Sequence, residues 1–112
     1  MLNCIIVDDE DKSRENLRIL VQDFCDNARV VAQCQGVTEA LHAIDQHKPH
    51  IVFLDIQMQN ENGFDLLEKL TEVDFDVIFT TAHSEYAIKA IKFSAIDYLL
   101  KPIDVEELQK AL

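Results

Sequence analysis

The chain has 112 residues, 48% hydrophobic and 28% charged, which suits a single domain with one core and excludes global disorder. Ten Lys and Arg against 21 Asp and Glu leave a formal net charge of -11, so direct contact with nucleic acid or an anionic membrane is not expected of this surface. No apolar run approaches the roughly 20 residues of a membrane span and no basic-then-apolar leader opens the chain, which points to the cytoplasm.

In chain order, Asn3 to Val7, Val30 to Gln33, Ile51 to Ile56, Val77 to Thr81 and Ile96 to Leu100 read as strands, being short and rich in β-branched or apolar residues. Several lack apolar and polar alternation, as expected of a sheet covered on both faces. Between them lie helical stripes: Leu17, Leu20, Val21 and Phe24; Val37, Ala40, Leu41 and Ile44; Phe64, Leu67 and Leu70; then Tyr86 to Phe93, with Ala87, Ile88, Ala90 and Ile91. Val105, Leu108 and Leu112 begin a fifth, and Asp104 followed by Glu107 resembles a capping box at its start. Cys4, Cys25 and Cys34 have no metal-ligand spacing and read as reduced and mostly buried, while His42, His47, His50 and His83 are scattered.

Strands alternating with helices through short connections predict an α/β fold, a doubly wound five-stranded parallel sheet of flavodoxin-like order 2-1-3-4-5 in three α/β/α layers. Ligands in such sheets bind beyond the carboxyl ends of the strands where the strand order reverses, here between the first and third. Polar residues stand at those ends: Asp8, Asp9, Glu10 and Asp11 after the first strand, Asp55 after the third, Thr80 and Thr81 after the fourth, Lys101 before Pro102 after the fifth. Each has an ordinary use as a helix cap or strand exit. Asp55 is the exception, because it ends an apolar, central strand where a carboxylate needs a partner. With Asp8 and Asp9 on the adjacent strand, each close pair of carboxylates costs about 4 kcal/mol at about 4 Å and an effective dielectric near 20. A divalent cation removes that cost, and oxygen-only ligands of this kind suit Mg2+ together with phosphate oxygens. Asp55 is then the expected nucleophile toward phosphorus, with Lys101 and Thr81 holding the oxygens on which charge gathers.

The segments VDDE at 7 to 10, FLDI at 53 to 56, TTA at 80 to 82 and DYLLKP at 97 to 102 closely resemble the receiver domains of two-component response regulators, in their order and roughly their spacing. The resemblance covers essentially the whole chain and implies a CheY-like fold. It implies that Asp9, Asp55 and the Gln57 backbone carbonyl bind Mg2+ directly, that Asp8 acts mostly through metal-bound water, and that a sensor histidine kinase phosphorylates Asp55. It further implies that Thr81 and Lys101 contact the phosphoryl group, that Tyr98 is the switch aromatic moving inward in response to Thr81, and that the Lys101 to Pro102 peptide is cis. The chain is thus expected to be a self-catalysing phosphoacceptor switch. His83 to Pro102 is similar to receivers that precede LytTR-type DNA-binding domains, of the LytR/AlgR-like kind. Ile103 departs from the aromatic often found after Lys-Pro, and the final helix stops short of the family's usual length, so from the latter a shortened last helix and an absent effector domain are expected.

A haloacid-dehalogenase-like phosphatase would need a second Asp where Gln57 stands, and a flavodoxin-like electron carrier would need a Ser, Thr and Gly-rich loop where the acidic run lies. A degenerate receiver that only binds proteins would have no use for the acidic pair, Asp55, Thr81 and Lys101 together. Gln57 and His83, each two residues beyond a site residue, are expected to overhang the phosphoryl group and set its lifetime. Phosphorylation is expected to produce a homodimer through the fourth predicted helix, fifth strand and fifth helix. There Tyr86, Lys89, Lys92, Phe93, Asp97, Glu106, Glu107 and Lys110 offer opposite charges around an apolar patch.

Overall fold

A computed structural model describes residues 1–59, 61–83 and 97–112. Its elements are β1 (Leu2–Val7), α1 (Asp11–Phe24), β2 (Ala28–Cys34), α2 (Val37–His47), β3 (Ile51–Asp55), β4 (Gln57–Met58), β5 (Glu61–Asn62), α3 (Gly63–Glu68), β6 (Asp76–Thr81), β7 (Asp97–Leu100) and α4 (Val105–Ala111). The main sheet is parallel in the order β2-β1-β3-β6-β7, the doubly wound flavodoxin-like topology expected of the alternation. The predicted helix at Tyr86 to Phe93, with Tyr86, Lys89, Lys92 and Phe93, lies outside the described residues, as does Ile96.

Alternate residues of each central strand enter opposite layers. Ile5, Val7, Val52, Leu54, Val77 and Phe79 face one core with α2 and α3, and Cys4, Ile6, Ile51, Phe53 and Ile78 face the other with α1 and α4. All five residues of β3 are buried, so Asp55 ends a strand with no open face. The three cysteines are buried and free, as expected.

Three helical stripes differ from expectation. Phe24 is 49% exposed, because α1 ends there and the following residue, Cys25, turns into the core at 3% exposure, its N–H bonded to the Val21 carbonyl. In α3, Leu66 is buried while Leu70 is only partly so, since a six-residue helix ends before Leu70 can continue its stripe. Ala43 joins the α2 stripe, made room for by its small side chain. At α4 the Asp104 carboxylate accepts from the Glu107 N–H at 3.1 Å, the cap anticipated there. A full reciprocal capping box occurs instead at α3: Asn62 Oδ1 accepts from Phe64 N at 2.8 Å and Asp65 N at 3.3 Å, and Asp65 Oδ2 accepts from Asn62 N at 3.0 Å.

Gly63 sets the height of α3 against the strand ends. A Cβ there would stand 2.5 Å from the Asp55 carbonyl oxygen, and the Gly63 N–H donates to the Ile56 carbonyl at 2.7 Å. The loop leaving β3 therefore folds tightly over its own strand end.

Candidate functional site

The carboxyl ends of β1, β3, β6 and β7 open into a cleft of about 530 Å³ lined by Asp9, Asp55, Gln57, Thr81, Ala82, His83 and Lys101, together with Lys12, Ser13 and Asn16 of α1 and with Pro102 and Ile103. Pairing of β1 with β3 and of β3 with β6 brings these ends together, since Val7 lies beside Leu54 and Asp55 beside Thr80. Thr81, one residue further, turns to the cleft and is fully buried. Its carbonyl accepts from the Lys101 N–H at 2.7 Å, which fixes Lys101 at the same level.

Asp8, Asp9 and Asp55 offer carboxylate oxygens that all lie within 4.8 Å of one another. Asp8 and Asp55 are each 4% exposed. Asp8 Oδ1 accepts from Glu10 N at 2.9 Å, Asp8 Oδ2 accepts from Lys101 Nζ at 2.8 Å, and its carbonyl accepts from Arg14 Nη1 at 2.7 Å. Lys101 Nζ also stands 3.4 Å from Asp55 Oδ2. Asp9 Oδ2 accepts from the Gln59 N–H at 2.5 Å, which ties the first acidic loop to the loop after β3.

Burial pushes the Asp55 carboxyl up to about 7, with Asp8 and Asp9 adding to the rise and Lys101 opposing it. Burial pulls the Lys101 ammonium down, but its contacts with Asp8 and Asp55 outweigh that and hold it above its ordinary value. Among the described residues, Lys101 pairs with two of the three clustered carboxylates, Asp8 and Asp55. The donor set is all oxygen and closely spaced, so the residues present fit a hard divalent ion such as Mg2+.

Gln57 and His83 both reach the cleft wall, with Ala82 between Thr81 and His83. Thr81 Oγ1 accepts from the His83 N–H at 3.2 Å, and the Tyr98 hydroxyl donates to the His83 carbonyl. Tyr98 lies beside Phe79 across the β6 and β7 pairing, half-buried against the core. Of the proposed dimer residues that are described, Glu106, Glu107 and Lys110 are exposed on α4 and Asp97 is half-buried at the start of β7. The ribbon β4 and β5 was not anticipated, because two residues per strand carry no periodicity, although Asn62 followed by Asp65 was a readable capping signature.

Residues 4–112 match the response regulator receiver domain family. The transcriptional regulatory protein BtsR of Salmonella typhi is 44% identical over 113 residues, covering 100% of this chain and 47% of that protein, and BtsR of Escherichia coli K12 is 42% identical with the same coverage. The chain therefore spans about half the length of the curated relatives it matches. Among solved structures, a LuxR-family DNA-binding response regulator from Staphylococcus aureus superposes with a TM-score of 0.86 at 25% identity, over 99% of this chain and 95% of that one. The response regulatory domain of mrkE from Klebsiella pneumoniae gives a TM-score of 0.86 at 25% identity, over 98% and 91%. Sequence, topology and the acidic cleft agree: the chain belongs to the response regulator receiver domain family.

Proposed function

We propose that Asp55 accepts a phosphoryl group from a sensor histidine kinase and that the resulting acyl phosphate switches the domain between two states. The observation that carries this reading is the convergence of Asp8, Asp9 and Asp55 oxygens within 4.8 Å, with Lys101 reaching both Asp8 and Asp55. An Asp55 oxygen attacks phosphorus, the bond from phosphorus to the donor breaks, and its electron pair leaves with the donor. Lys101 and Thr81 hold the oxygens of the transferred group. Asp9, Asp55 and the Gln57 carbonyl would hold Mg2+, with Asp8 acting through water, and the bound ion would supply positive charge between the anionic donor and the carboxylate.

The switch runs through His83, whose N–H is held by Thr81 Oγ1 and whose carbonyl is held by the Tyr98 hydroxyl. Drawing the Thr81 hydroxyl toward a phosphoryl oxygen pulls on a peptide that Tyr98 grips from its other side, which carries the change toward β7 and α4. The output is a DNA-binding transcriptional domain of the LytTR type, and the phosphorylated domain pairs with a second copy through the fourth predicted helix, β7 and α4. The relatives' description as transcriptional regulatory proteins and their greater length support a transcriptional output.

Intact mass after incubation with acetyl phosphate tests the reading. A gain of about 80 Da that needs Mg2+ is expected. Absence of any adduct in Mg2+ with both acetyl phosphate and a cognate kinase would refute it.

A further inference from the structure

We propose that Glu61 is a positioning residue for the metal-binding loop, acting from the first turn of α2. This rests on the phosphoacceptor reading, because the loop it holds carries the Gln57 carbonyl. Glu61 sits opposite Met58 in an antiparallel ribbon of only two residue pairs, Gln57 with Asn62 and Met58 with Glu61. A ribbon so short has little stability of its own and depends on its anchors. Three side-chain anchors are visible: Gln59 N–H to Asp9, Asn62 to the start of α3, and Glu61 Oε1, which accepts from the Val37 N–H at 2.8 Å.

The third anchor fills a gap in α2. Its N-cap residue is Gly36, which has no side chain to offer, and Glu39 is spent on the Gln35 N–H at 3.2 Å. A carboxylate from 24 positions along the chain therefore caps the helix, where an anion is favoured. Space has been left for it: a Cβ on Gly36 would lie 2.6 Å from Glu61 Oε1 and 3.8 Å from Glu61 Cδ. The Gly36 backbone is extended, at φ -172° and ψ -174°, a conformation any residue adopts, so the glycine serves the approach of Glu61 rather than a turn. Consecutive side chains, Glu61 and Asn62, thus pin one loop to two helix starts, and the opposite arm of that loop presents Gln57 and Gln59 to the acidic cluster.

The test is Mg2+ affinity by titration calorimetry, set beside the thermal midpoint and the exchange rate of the Val37 amide. Glu61→Ala is expected to weaken Mg2+ binding by about three- to tenfold and to speed Val37 exchange. Glu61→Gln, which keeps an accepting oxygen, is expected to stay within about twofold of the unmodified chain. Gly36→Ala, which removes nothing but displaces the carboxylate, is expected to reproduce Glu61→Ala, and the double variant is expected to bind no worse than Glu61→Ala alone. A merely structural Glu61 would lower the midpoint and leave Mg2+ affinity untouched, and that result overturns the proposal. Additive losses in the double variant overturn it too. An unmodified chain that binds no Mg2+ defeats the phosphoacceptor reading itself, whereas normal binding in the unmodified chain with unchanged variants defeats only the role of Glu61.

Discussion

Lys101 Nζ donates to Asp8 Oδ2 at 2.8 Å, joining the carboxyl end of β7 to that of β1 across the two strands that separate them in the sheet. The same ammonium lies 3.4 Å from Asp55 Oδ2, so it is a counterion shared by Asp8 and Asp55. Lys101→Ala should destabilise the metal-free protein by about 1 to 3 kcal/mol, because it removes the cation paired with the buried Asp8 and Asp55 carboxylates. It should also tighten Mg2+ binding severalfold, since the competing charge is gone, while phosphoryl uptake slows. Urea unfolding with and without Mg2+ checks the first two effects, and weaker Mg2+ binding in this variant would count against the competition.

The pH dependence follows from Asp55, whose carboxyl is raised from 3.8 to about 7, chiefly by burial. The folded state holds the proton more tightly than the unfolded chain. The charged form therefore carries its cost in full above about pH 7, and stability is regained as the pH falls through 7 toward 4. Asp55→Asn should stabilise the metal-free protein by about 1 to 3 kcal/mol at pH 8, with the gain shrinking as the pH is lowered. Denaturation in chelator at several pH values measures it, and a gain that grew toward acid would reverse the assignment.

Gln57 and His83 line the cleft that holds Asp55, and in the proposed phosphorylated state they would border the path of water to phosphorus. Replacing either side chain with Ala should change the dephosphorylation rate severalfold and leave Mg2+ affinity unchanged, since the ligand proposed at Gln57 is its backbone carbonyl. Decay of the aspartyl phosphate followed by mass reads the rate. Identical lifetimes would remove both residues from this role.

Removing the Tyr98 hydroxyl cuts its bond to the His83 carbonyl without emptying the half-buried site of the ring. Sedimentation with Mg2+ and beryllofluoride should show a shift toward dimer that Tyr98→Phe weakens and Tyr98→Ala weakens further. Charge reversal at Lys92, a residue outside the described ones, should weaken it as well. A domain that stays monomeric with the phosphoryl mimic would end the dimer proposal.

Most of the fold was legible because the strands of a sheet covered on both faces are written as short apolar runs, and IVFLD at β3 has all five residues buried. The convergence of acidic residues was legible for the same reason: Asp55 ends that apolar run at the carboxyl edge of the sheet, where its oxygens meet those of Asp8 and Asp9. What stayed hidden depends on contacts between distant residues. Nothing near Glu61 announces that it caps α2, because the cause is a missing side chain at Gly36. Phe24 misled because a helical period says which face is apolar but not where the helix ends. The anchoring of Asp9 by the Gln59 amide was equally beyond reach, being a bond from backbone to side chain between two loops.

The central claim is that one carboxylate, Asp55, takes the phosphoryl group. Borohydride reduction of the phosphorylated protein converts the acyl phosphate to homoserine at the modified position, and peptide mass spectrometry then locates it. Homoserine at position 55, formed only when Mg2+ is present and absent from Asp55→Asn, is the expected result. Homoserine at Asp8 or Asp9, or undiminished phosphoryl uptake by Asp55→Asn, would contradict the account.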